Sequence, residues 1–499
     1  MRKNVLFIII DQMRADCLSG ALAGHVDLPH LRALAADAVS FTRHYSVTNP
    51  CGPSRASILT GQYAMNHRAV RNGTPLAHDR PNLATEARKG GYLPLLFGYT
   101  DSAPDPRRHA PGDPALTSYE GVMPGFVEAV EMRLEESWPW RGYLKSRGYD
   151  VPPYPEIFRP NGTEVDDPAI YAAEDSDTAF LTDRLLADLA DRPRGWFAHL
   201  TYIRPHPPLV APAPYNRMYD PAALPAPVAG SENSHPFTDA TRSARPLAAN
   251  VEGFPDLEDT PEMVARLRAI YLGLATEVDH HIGRVIGFLK ETGAYGDTLI
   301  VVTADHGEML GDHGLWGKMS YFDAAYHTPL IIRAPGGPAG AGVEIDAPTE
   351  SVDVAPTILD LLGLEVPDTM DGRSLRGFLA AGQTPKDWRR HSFSELDYGD
   401  PVTPTHWQRR LDLPTDAANL AILRGPRHTL VHFNGGLPPV LFDHTGAGEA
   451  VDRAADPEAA PILLDMTRAL LDHRMAHANG GFERTMITPR GAERTPRKA

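Results

Sequence analysis

Cys51 and Arg55 are the residues of this chain whose types and spacing first suggest chemistry. They bracket the pentapeptide Cys-Gly-Pro-Ser-Arg, which continues into Ala-Ser-Ile-Leu-Thr-Gly and predicts a short helix over residues 54–60. A lone cysteine is usually a small buried hydrophobe, whereas an arginine is a permanent cation with its donors in a fixed fork. Chemistry at Cys51 therefore depends on partner residues elsewhere in the chain.

Two pairs of ligand-type residues supply such partners at the ends of predicted strands. Asp11-Gln12 directly follows the first apolar run of the chain, and Asp305-His306 directly follows a later one. Each carboxylate alone would be interpreted as a turn or capping residue. In an open α/β sheet, however, ligands gather at the carboxyl ends of the strands. The two pairs together with Cys51 therefore predict one metal site.

The Cys51 to Arg55 stretch resembles the signature of the sulfatase family. In that family the cysteine is oxidised after translation to formylglycine, an aldehyde whose hydrate supplies the nucleophile. The resemblance therefore implies that Cys51 acts as formylglycine and that Arg55 contacts its hydrate. It also implies a set of metal ligands. These are Asp11, Gln12, residue 51, Asp305 and His306.

Further stretches extend the resemblance over most of the chain. Gly-Asp-His-Gly-Leu-Trp-Gly-Lys, which ends at Lys318, is similar to the family segment that supplies a lysine to the substrate. His206, in Tyr-Ile-Arg-Pro-His-Pro-Pro, matches a family histidine near the leaving group. Residues 441–458 resemble the C-terminal strand and turn of the family. The resemblance implies that Lys318 and His206 stabilise or protonate the leaving oxygen.

Two departures from the common pattern resemble the phosphonate monoester hydrolase branch. Asp11-Gln12 replaces the paired aspartates of many sulfatases, and the Gly-Lys-Trp-His motif is absent from its usual place. In that branch an Asn, a Tyr and a Thr line the substrate pocket. Asn72 and Tyr99 match the first two, and Asp101 stands at the threonine position. A carboxylate beside an anionic ester is unfavourable unless it is protonated or turned away.

The resemblance implies a formylglycine- and metal-dependent hydrolase of sulfate monoesters, an arylsulfatase. Phosphonate monoester and phosphodiester hydrolysis are expected as promiscuous activities, through a covalent hemiacetal ester whose second step breaks a C–O bond. The alternative is an enzyme that is primarily a phosphonate monoester hydrolase or phosphodiesterase, with sulfatase as the side activity. His306 favours manganese as the single divalent ion, with calcium as the alternative.

Two other hypotheses keep the same scaffold. In one, Cys51 is unmodified, and the protein has weak phosphatase or mutase activity. In the other, the protein binds anions without catalysis, and Asp305→Ala leaves the affinity for the ligand intact. Retention of each expected catalytic position argues against the second of these.

Composition narrows the environment and the partners of the protein. The chain has 499 residues, a formal net charge of −16 and only two cysteines, Cys17 and Cys51. We expect no nucleic-acid partner, because no basic footprint is present, and no disulfide framework. The apolar run 5–10 is too short for a signal peptide or a membrane span. We therefore expect a cytoplasmic protein with no membrane partner.

The expected partners are a small-molecule substrate and a maturation enzyme. They are a sulfate, phosphonate or phosphodiester substrate and a formylglycine-generating enzyme that converts Cys51. An acidic surface and a polar C-terminal tail favour a soluble homo-oligomer, a dimer or a tetramer.

Alternating apolar runs and amphipathic segments predict an α/β fold. Strands are predicted over residues 5–10, 40–45, 93–99, 196–203, 298–304, 329–333, 420–424, 429–433 and 440–442. Helices are predicted over residues 31–36, 54–60, 82–89, 177–191, 354–362 and 461–477, with one long helix that begins at Pro261 behind the cap Thr260 and ends near Gly293. The resemblance implies an alkaline-phosphatase-like α/β/α domain with a central mixed, mostly parallel sheet. A smaller C-terminal domain with an antiparallel sheet and a helix completes the expected fold.

The predicted domain boundary lies near residue 390, where the pattern of predicted elements changes from alternating strands and helices to short strands followed by one amphipathic helix. Residues 1–385 form the catalytic domain, in which 102–170 and 204–260 are insertions or lid loops beside the substrate. Residues 386–478 form the sheet-plus-helix subdomain. Residues 479–499 form a tail or an oligomerisation arm.

Overall fold

The computed structural model describes residues 2–231, 234–337, 341–478 and 485–494. Its strands are β1 (Asn4–Ile10), β2 (Val39–Phe41), β3 (His44–Tyr45), β4 (Pro94–Gly98), β5 (Val127–Glu131), β6 (Phe197–Tyr202), β7 (Thr298–Ala304), β8 (Leu330–Arg333), β9 (Val343–Ile345), β10 (Thr349–Glu350), β11 (Ser392–Asp397), β12 (Asn419–Arg424), β13 (His428–Phe433), β14 (Val440–Asp443), β15 (Thr485–Thr488) and β16 (Gly491–Arg494). Its α-helices are α1 (Pro29–Ala36), α2 (Cys51–Thr60), α3 (Ala64–His67), α4 (Leu83–Lys89), α5 (Trp138–Ser146), α6 (Asp177–Ala190), α7 (Pro236–Ala244), α8 (Pro261–Glu291), α9 (Asp323–Tyr326), α10 (Val354–Leu361), α11 (Arg376–Ala381), α12 (His406–Leu411) and α13 (Ala460–Ala476).

A large sheet runs through the middle of the molecule. Within the described ranges its strands lie in the order β5-β4-β6-β1-β7-β8-β2-β9. The strands from β5 to β7 are parallel to one another, β8 is antiparallel to both β7 and β2, and β9 is parallel to β2. The prediction of a mixed, mostly parallel sheet is confirmed.

The central strands are buried on both faces, which explains their continuous apolar sequences. In β1, Leu6, Ile8 and Ile10 join one core cluster, which includes buried residues of α6 and α8. The alternate residues of β1 join a second cluster on the opposite face, with residues of α2, α4 and α10. Helices therefore cover both faces, as the predicted α/β/α architecture requires.

The C-terminal sheet has the order β11-β12-β13-β14 and is antiparallel throughout. Its alternating residues serve two cores. Leu423 and Leu430 pack with Leu470 of α13, whereas Ile422 and Val431 pack in a cluster that includes Tyr321 and Phe322. The predicted antiparallel sheet and helix are confirmed, and this sheet is held between its own helix and the main body.

The longest helix, α8, begins as the sequence predicts. Thr260 accepts a hydrogen bond from the backbone N–H of Met263 at 3.2 Å, and Pro261 occupies the first turn. The apolar stripe of α8 faces the core cluster that contains α1 and α6. None of the helices within the described part of the chain is both long enough and apolar enough to cross a membrane.

Several elements differ from the predicted ones for local reasons. The strand expected over 40–45 is two strands, because the chain turns at Thr42-Arg43 and β3 pairs with β10 instead of continuing in the large sheet. Residues 102–170 contain α5 and the edge strand β5, whose exposed Val-Glu-Ala-Val-Glu sequence has no buried apolar run. Residues 204–260 contain α7, a helix whose one large apolar residue is Phe237.

The C-terminal tail contains a hairpin that the sequence did not predict. β15 and β16 pair antiparallel, from Thr485 opposite Arg494 to Thr488 opposite Gly491. The remainder of the predicted tail or arm, residues 479–484 and 495–499, lies outside the described residues.

Candidate active site

The ends of two neighbouring strands meet the start of a helix at one edge of the large sheet. Asp11 follows β1 and Asp305 follows β7, and the register of the two strands sets Ile10 beside Ala304. Cys51 is the first residue of α2. One ligand-type atom from each of Asp11, Cys51, Asp305 and His306 lies within 4.8 Å of the others, and all four residues are buried. The structure thus brings together four of the five predicted ligand positions as one group.

The carboxylates of this group leave two oxygens without hydrogen bonds. Asp11 Oδ2 accepts from Tyr99 Oη and, at 3.1 Å, from Arg55 Nη2. Asp305 Oδ1 accepts the backbone N–H groups of Gln12 at 3.1 Å and His306 at 2.9 Å. Among the described residues, Asp11 Oδ1 and Asp305 Oδ2 have no hydrogen-bond partner. Asp305 Oδ2 still lies 2.9 Å from Arg55 Nη2 as an ion pair, whereas Asp11 Oδ1 is a buried polar atom without a hydrogen bond in the described part of the chain. Such an atom is costly, so Asp11 Oδ1 fits a bound cation.

His306 presents a lone pair to the same group. Its Nδ1 is 3.0 Å from the carbonyl oxygen of Gly307, an atom that only accepts, so Nδ1 carries the proton. Nε2 is therefore free to coordinate, and it lies 3.2 Å from Cys51 Sγ. Burial lowers the pKa of His306, which keeps the imidazole neutral. Two carboxylates, an imidazole and the side chain of residue 51 suit a divalent ion.

Arg55 holds the two carboxylates from the side of the helix. Its guanidinium is completely buried, and Nη2 lies 2.9 Å from Asp305 Oδ2 in addition to its bond with Asp11. Nη1 donates to the Tyr99 carbonyl at 3.4 Å and to Thr201 Oγ1 at 3.3 Å. The guanidinium also lies over the Tyr99 ring, 4.2 Å from its centroid. Arg55 is thus a fixed cation whose charge is matched by the carboxylates around it.

Gln12, the fifth predicted ligand, is placed by two charged neighbours. Its backbone has a left-handed φ of 66°, which turns the side chain away from the strand direction. Its Oε1 accepts a hydrogen bond from Lys318 Nζ at 2.8 Å. Its Nε2 donates to Glu308 Oε2. The amide therefore lies between Glu308 and Lys318.

Lys318 and His206, which the resemblance assigns to the leaving oxygen, are hydrogen-bonded to each other. Lys318 Nζ lies 3.0 Å from His206 Nε2, and His206 Nδ1 faces the carbonyl of Pro207 at 2.5 Å. Nδ1 therefore carries the ring proton, and Nε2 accepts from the ammonium group. Burial, reinforced by Lys318, lowers the pKa of His206 well below its ordinary value. Lys318 Nζ is therefore the donor in this contact.

The three predicted pocket residues approach the start of α2. Asn72 Oδ1 accepts the backbone N–H of Gly52 at 3.0 Å. A Cβ atom on Gly52 would lie 3.0 Å from both this oxygen and the Asp101 carbonyl, so a larger residue would crowd both atoms. Tyr99 connects to Asp11, as described above. Asp101 has a left-handed φ of 47° and is 7% exposed, and burial raises the pKa of its carboxyl to about 8.

The thiol of Cys51 is buried and has Asp11 and Asp305 as charged neighbours. Burial, followed by the charge of Asp11, raises the pKa of Cys51 well above that of an ordinary thiol. Catalytic cysteines have lowered pKa values, because the thiolate is the nucleophile. Cys51 and Cys17 are both buried and free.

Two residues near the site have roles that sequence reasoning missed. Arg204, which is fully buried, donates to the carbonyls of His206 at 3.0 Å and Pro208 at 2.9 Å and pairs with Asp177. Glu308 stands in the Asp-His-Gly-Glu stretch that follows β7, and it receives the side chain of Gln12. Its proximity to Asp305 was the available signal, but the contact with Gln12 arises only in the folded chain.

Comparison with known proteins identifies the class to which this site belongs. The family model described as Sulfatase matches residues 3–364, which is more than half of the chain. The chain therefore belongs to the sulfatase family, within the alkaline phosphatase superfamily, and is a hydrolase.

Similar solved structures and a curated relative cover almost the whole chain. The structure of the phosphonate monoester hydrolase SpPMH from Silicibacter pomeroyi is 60% identical, with a TM-score of 0.97 and 100% of both chains covered. The phosphonate monoester hydrolase of Agrobacterium radiobacter is 41% identical, with a TM-score of 0.90 and 99% of this chain and 100% of that chain covered. The multifunctional alkaline phosphatase superfamily protein PehA from Trinickia caryophylli is 38% identical over 98% of each chain.

Proposed function

We propose that this protein hydrolyses phosphonate monoesters and sulfate monoesters at Cys51, with phosphodiesters as further substrates. The observation that carries the proposal is the buried group of Asp11, Cys51, Asp305 and His306, in which two carboxylate oxygens lack hydrogen-bond partners among the described residues. The adjacent Lys318–His206 pair supplies a cation and a proton for a leaving oxygen. The similarity to two phosphonate monoester hydrolases supports the order in which the substrates are named.

The proposed nucleophile is the hydrate of formylglycine at position 51. The match of the Sulfatase family model over residues 3–364, which include the Cys51 to Arg55 stretch, supports this. One hydroxyl of the hydrate attacks sulfur or phosphorus, and the ester oxygen leaves with a proton. The covalent hemiacetal ester then loses the proton of its second hydroxyl, and the C–O bond breaks to re-form the aldehyde and release sulfate, the phosphonate or, from a diester, the phosphate monoester. This second step is the same for a sulfuryl and a phosphonyl group. Water then adds to the aldehyde and restores the hydrate.

A divalent ion fits between Asp11, Asp305, His306 and residue 51, with Gln12 as the remaining proposed ligand. When bound, such an ion supplies Lewis acidity to an oxygen of the substrate. The imidazole of His306 favours manganese over calcium, because calcium prefers ligand sets made of oxygen alone.

Arg55, Lys318 and His206 have separate proposed roles in the reaction. Arg55 holds the orientation of Asp11 and Asp305 from the side of α2. Lys318 keeps its proton at Nζ until negative charge develops on the leaving oxygen, and neutral His206 receives the hydrogen bond that fixes Nζ in place. This arrangement stabilises charge where the transition state forms it.

The substrate preference depends in part on the charge of the Asp101 carboxyl. A carboxylate at this position would repel an anionic ester, but the raised pKa keeps the group protonated at neutral pH. A neutral Asp101 can stand where the related branch has a threonine. The alternative order, in which sulfate is the better substrate, remains the second candidate because the family model is that of the sulfatases.

The maturation, cellular location and assembly of the protein are proposed as well. A formylglycine-generating enzyme converts Cys51, and the protein acts in the cytoplasm. The β15–β16 hairpin, whose Met486 and Ile487 are exposed, contributes to a dimer or a tetramer.

The test compares kcat/KM for an aryl phosphonate monoester and an aryl sulfate on one preparation loaded with manganese. Wild type is expected to hydrolyse both, and Cys51→Ala neither. Cys17→Ala is the matched control, because it removes the other buried thiol and should retain activity. Activity that survives in Cys51→Ala would refute the proposed nucleophile. Binding of either ester by wild type without turnover would favour an anion-binding protein.

A further inference from the structure

Glu308 is buried, with 1% of its surface exposed, and each of its carboxylate oxygens is engaged. Oε1 accepts the backbone N–H of Leu310 at 2.9 Å and that of Gly317 at 2.6 Å. Oε2 accepts Nε2 of Gln12. Glu308 thus connects the residue after Asp11 to both ends of the loop that precedes Lys318.

The orientation of the Gln12 amide follows from its two neighbours. A carboxylate only accepts hydrogen bonds and an ammonium group only donates them. The amide nitrogen must therefore face Glu308, and the amide oxygen must face Lys318. Reversing the amide would set its NH₂ group against the Lys318 ammonium and its oxygen against a carboxylate. The negative charge of Glu308 therefore determines which atom of Gln12 is offered to Lys318.

The loop between Glu308 and Lys318 needs such an anchor because of its backbone. Leu310 and His313 have left-handed φ values of 51° and 56°, which are uncommon for residues other than glycine. Glu308 accepts the N–H of Leu310 at the beginning of this segment and that of Gly317 directly before Lys318. The carboxylate therefore fixes the two ends of a segment that would otherwise relax.

We infer that Glu308 is a positioning residue that holds Lys318 against His206, both through Gln12 and through the backbone of residues 309–317. This inference rests on the proposed function, in which Lys318 acts on the leaving oxygen. In this role Glu308 contacts Gln12, the remaining proposed ligand, and has no hydrogen bond to Asp11, Cys51, Asp305 or His306 among the described residues. It acts at the end of a hydrogen-bond chain that runs from Glu308 through Gln12 and Lys318 to His206.

The chain of hydrogen bonds allows a reciprocal exchange that a general structural role would not tolerate. In Glu308→Gln, the new amide has two orientations. Its NH₂ group faces either the NH₂ group of Gln12 or the backbone N–H groups of Leu310 and Gly317, so in each orientation two donors face each other. Adding Gln12→Glu repairs this, because a carboxylate at 12 accepts from both Lys318 and the glutamine at 308. The oxygen of that glutamine still accepts from Leu310 and Gly317. The double variant thus restores each hydrogen bond with the partners exchanged.

The experiment measures kcat and KM of wild type, both single variants and the double variant with an aryl phosphonate and an aryl sulfate, at equal metal content. Glu308→Gln should lower kcat by about 10- to 100-fold, the usual range for residues that orient the ligands of a site. Its KM should change by less than about threefold, because the lost interaction acts in the transition state. The double variant should recover at least about tenfold in kcat over Glu308→Gln, a coupling that additive effects would not produce. Wild-type kcat in Glu308→Gln, or a double variant no better than the product of the single effects, would overturn the inference.

A second background separates positioning of Lys318 from loss of folding. With Lys318→Met already present, Glu308→Gln should cost less than about threefold further, because its effect passes through the missing ammonium group. An equal loss in both backgrounds would overturn the inference in favour of a structural role.

The thermal unfolding midpoint of the four metal-free proteins provides a readout that needs no activity. The single variants should unfold at lower temperature than wild type, and the double variant should return towards it. Absence of this recovery would overturn the inference. If wild type hydrolyses neither ester, the proposed function fails, whereas the unfolding series still tests the hydrogen-bond chain.

Discussion

Lys318 Nζ lies 3.0 Å from His206 Nε2, and the two residues come from segments that are 112 positions apart in the chain. The carbonyl of Pro207 accepts from Nδ1 of His206, so the ring proton is on Nδ1. Nε2 can therefore only accept, and Lys318 is the donor in the contact. Burial of the imidazole lowers its pKa and keeps it neutral. The pair is therefore a single proton donor that is held in place by a neutral acceptor.

The first prediction concerns the leaving group. Lys318→Met should reduce kcat/KM by about 10²- to 10⁴-fold, the range expected for loss of a general acid. The reduction should be smaller for an ester with an acidic phenol than for one with a weakly acidic phenol, because the better leaving group needs less protonation. Rates measured over a series of aryl esters check this.

Lys145→Met is the control for this series, because Lys145 is an exposed residue of α5. An equal loss in Lys318→Met for all leaving groups would contradict the assignment of Lys318 to the leaving oxygen.

The second prediction concerns pH and Asp101. The pKa of Asp101 is raised to about 8 by burial, partly offset by Arg55 and reinforced by Asp11, Glu120 and Asp305. Below pH 8 the carboxyl is protonated and neutral, and above pH 8 it becomes negative. For anionic esters, kcat/KM should therefore fall as the pH rises through about 8, and Asp101→Asn should flatten that limb of the profile.

The pH–rate profiles of Asp101→Asn and wild type check this prediction. Asp105→Asn is the control, because Asp105 is a neighbouring carboxylate that is already paired with Arg107. An unchanged alkaline limb in Asp101→Asn would show that another group controls it.

The third prediction concerns the metal. A bound divalent ion should raise the thermal unfolding midpoint of wild type in proportion to the logarithm of its free concentration. Asp11→Asn should lose most of this stabilisation, because it removes one charge from the ligand group. The metal-free Asp11→Asn protein should unfold at the same or a higher temperature than metal-free wild type, since burial and then the charge of Asp305 raise the pKa of Asp11 in the folded protein.

Differential scanning calorimetry with manganese and with calcium checks both parts, and exposed Asp259 supplies the control Asp259→Asn. Equal stabilisation of Asp11→Asn and wild type by the ion would contradict the ligand assignment. A larger stabilisation by calcium than by manganese would contradict the proposed metal.

The fourth prediction concerns stability in acid. Burial lowers the pKa of His67 to about 3, and its two nitrogens are used by Ser57 Oγ and by the N–H of Ala69. The unfolded chain binds a proton near pH 6.5, whereas the folded protein does so only near pH 3, so stability falls as the pH falls between these values. At pH 5 this one residue should cost about 2 kcal/mol relative to neutral pH.

Urea unfolding at pH 7 and pH 5 measures the difference, which should shrink by about that amount in His67→Gln. His25 is the control for substitution by glutamine, because it lies at the surface. A pH dependence that is the same in His67→Gln and wild type would contradict the prediction.

Much of the fold and the candidate site could be predicted because the sequence marks strand ends clearly. Asp11 and Asp305 each follow a continuous apolar run, and strands buried on both faces require such runs. Once the strands are parallel neighbours, the two carboxylates must lie side by side. The fold and the family are confirmed, whereas the catalytic roles of the site residues stay predictions.

What the sequence could not provide is the set of contacts that only the folded chain creates. Glu308 was visible in the motif, but its bond to Gln12 depends on how two loops meet. Arg204 had no sequence pattern that pointed to the carbonyl of His206. The edge strand β5 was missed because its exposed residues need no apolar run. Helix α7 was missed because a short helix with one large apolar side chain has little periodicity.

The proposed mechanism requires residue 51 to be formylglycine, and the mass of the tryptic peptide that contains this residue measures the modification. The peptide spans residues 44–55, between the cleavage sites after Arg43 and Arg55. In a preparation that turns over an aryl phosphonate or an aryl sulfate, the peptide should be lighter by about 18 Da than the unmodified sequence. The modified fraction should rise in proportion to the specific activity across preparations. Full activity with the unmodified cysteine mass throughout would contradict the account.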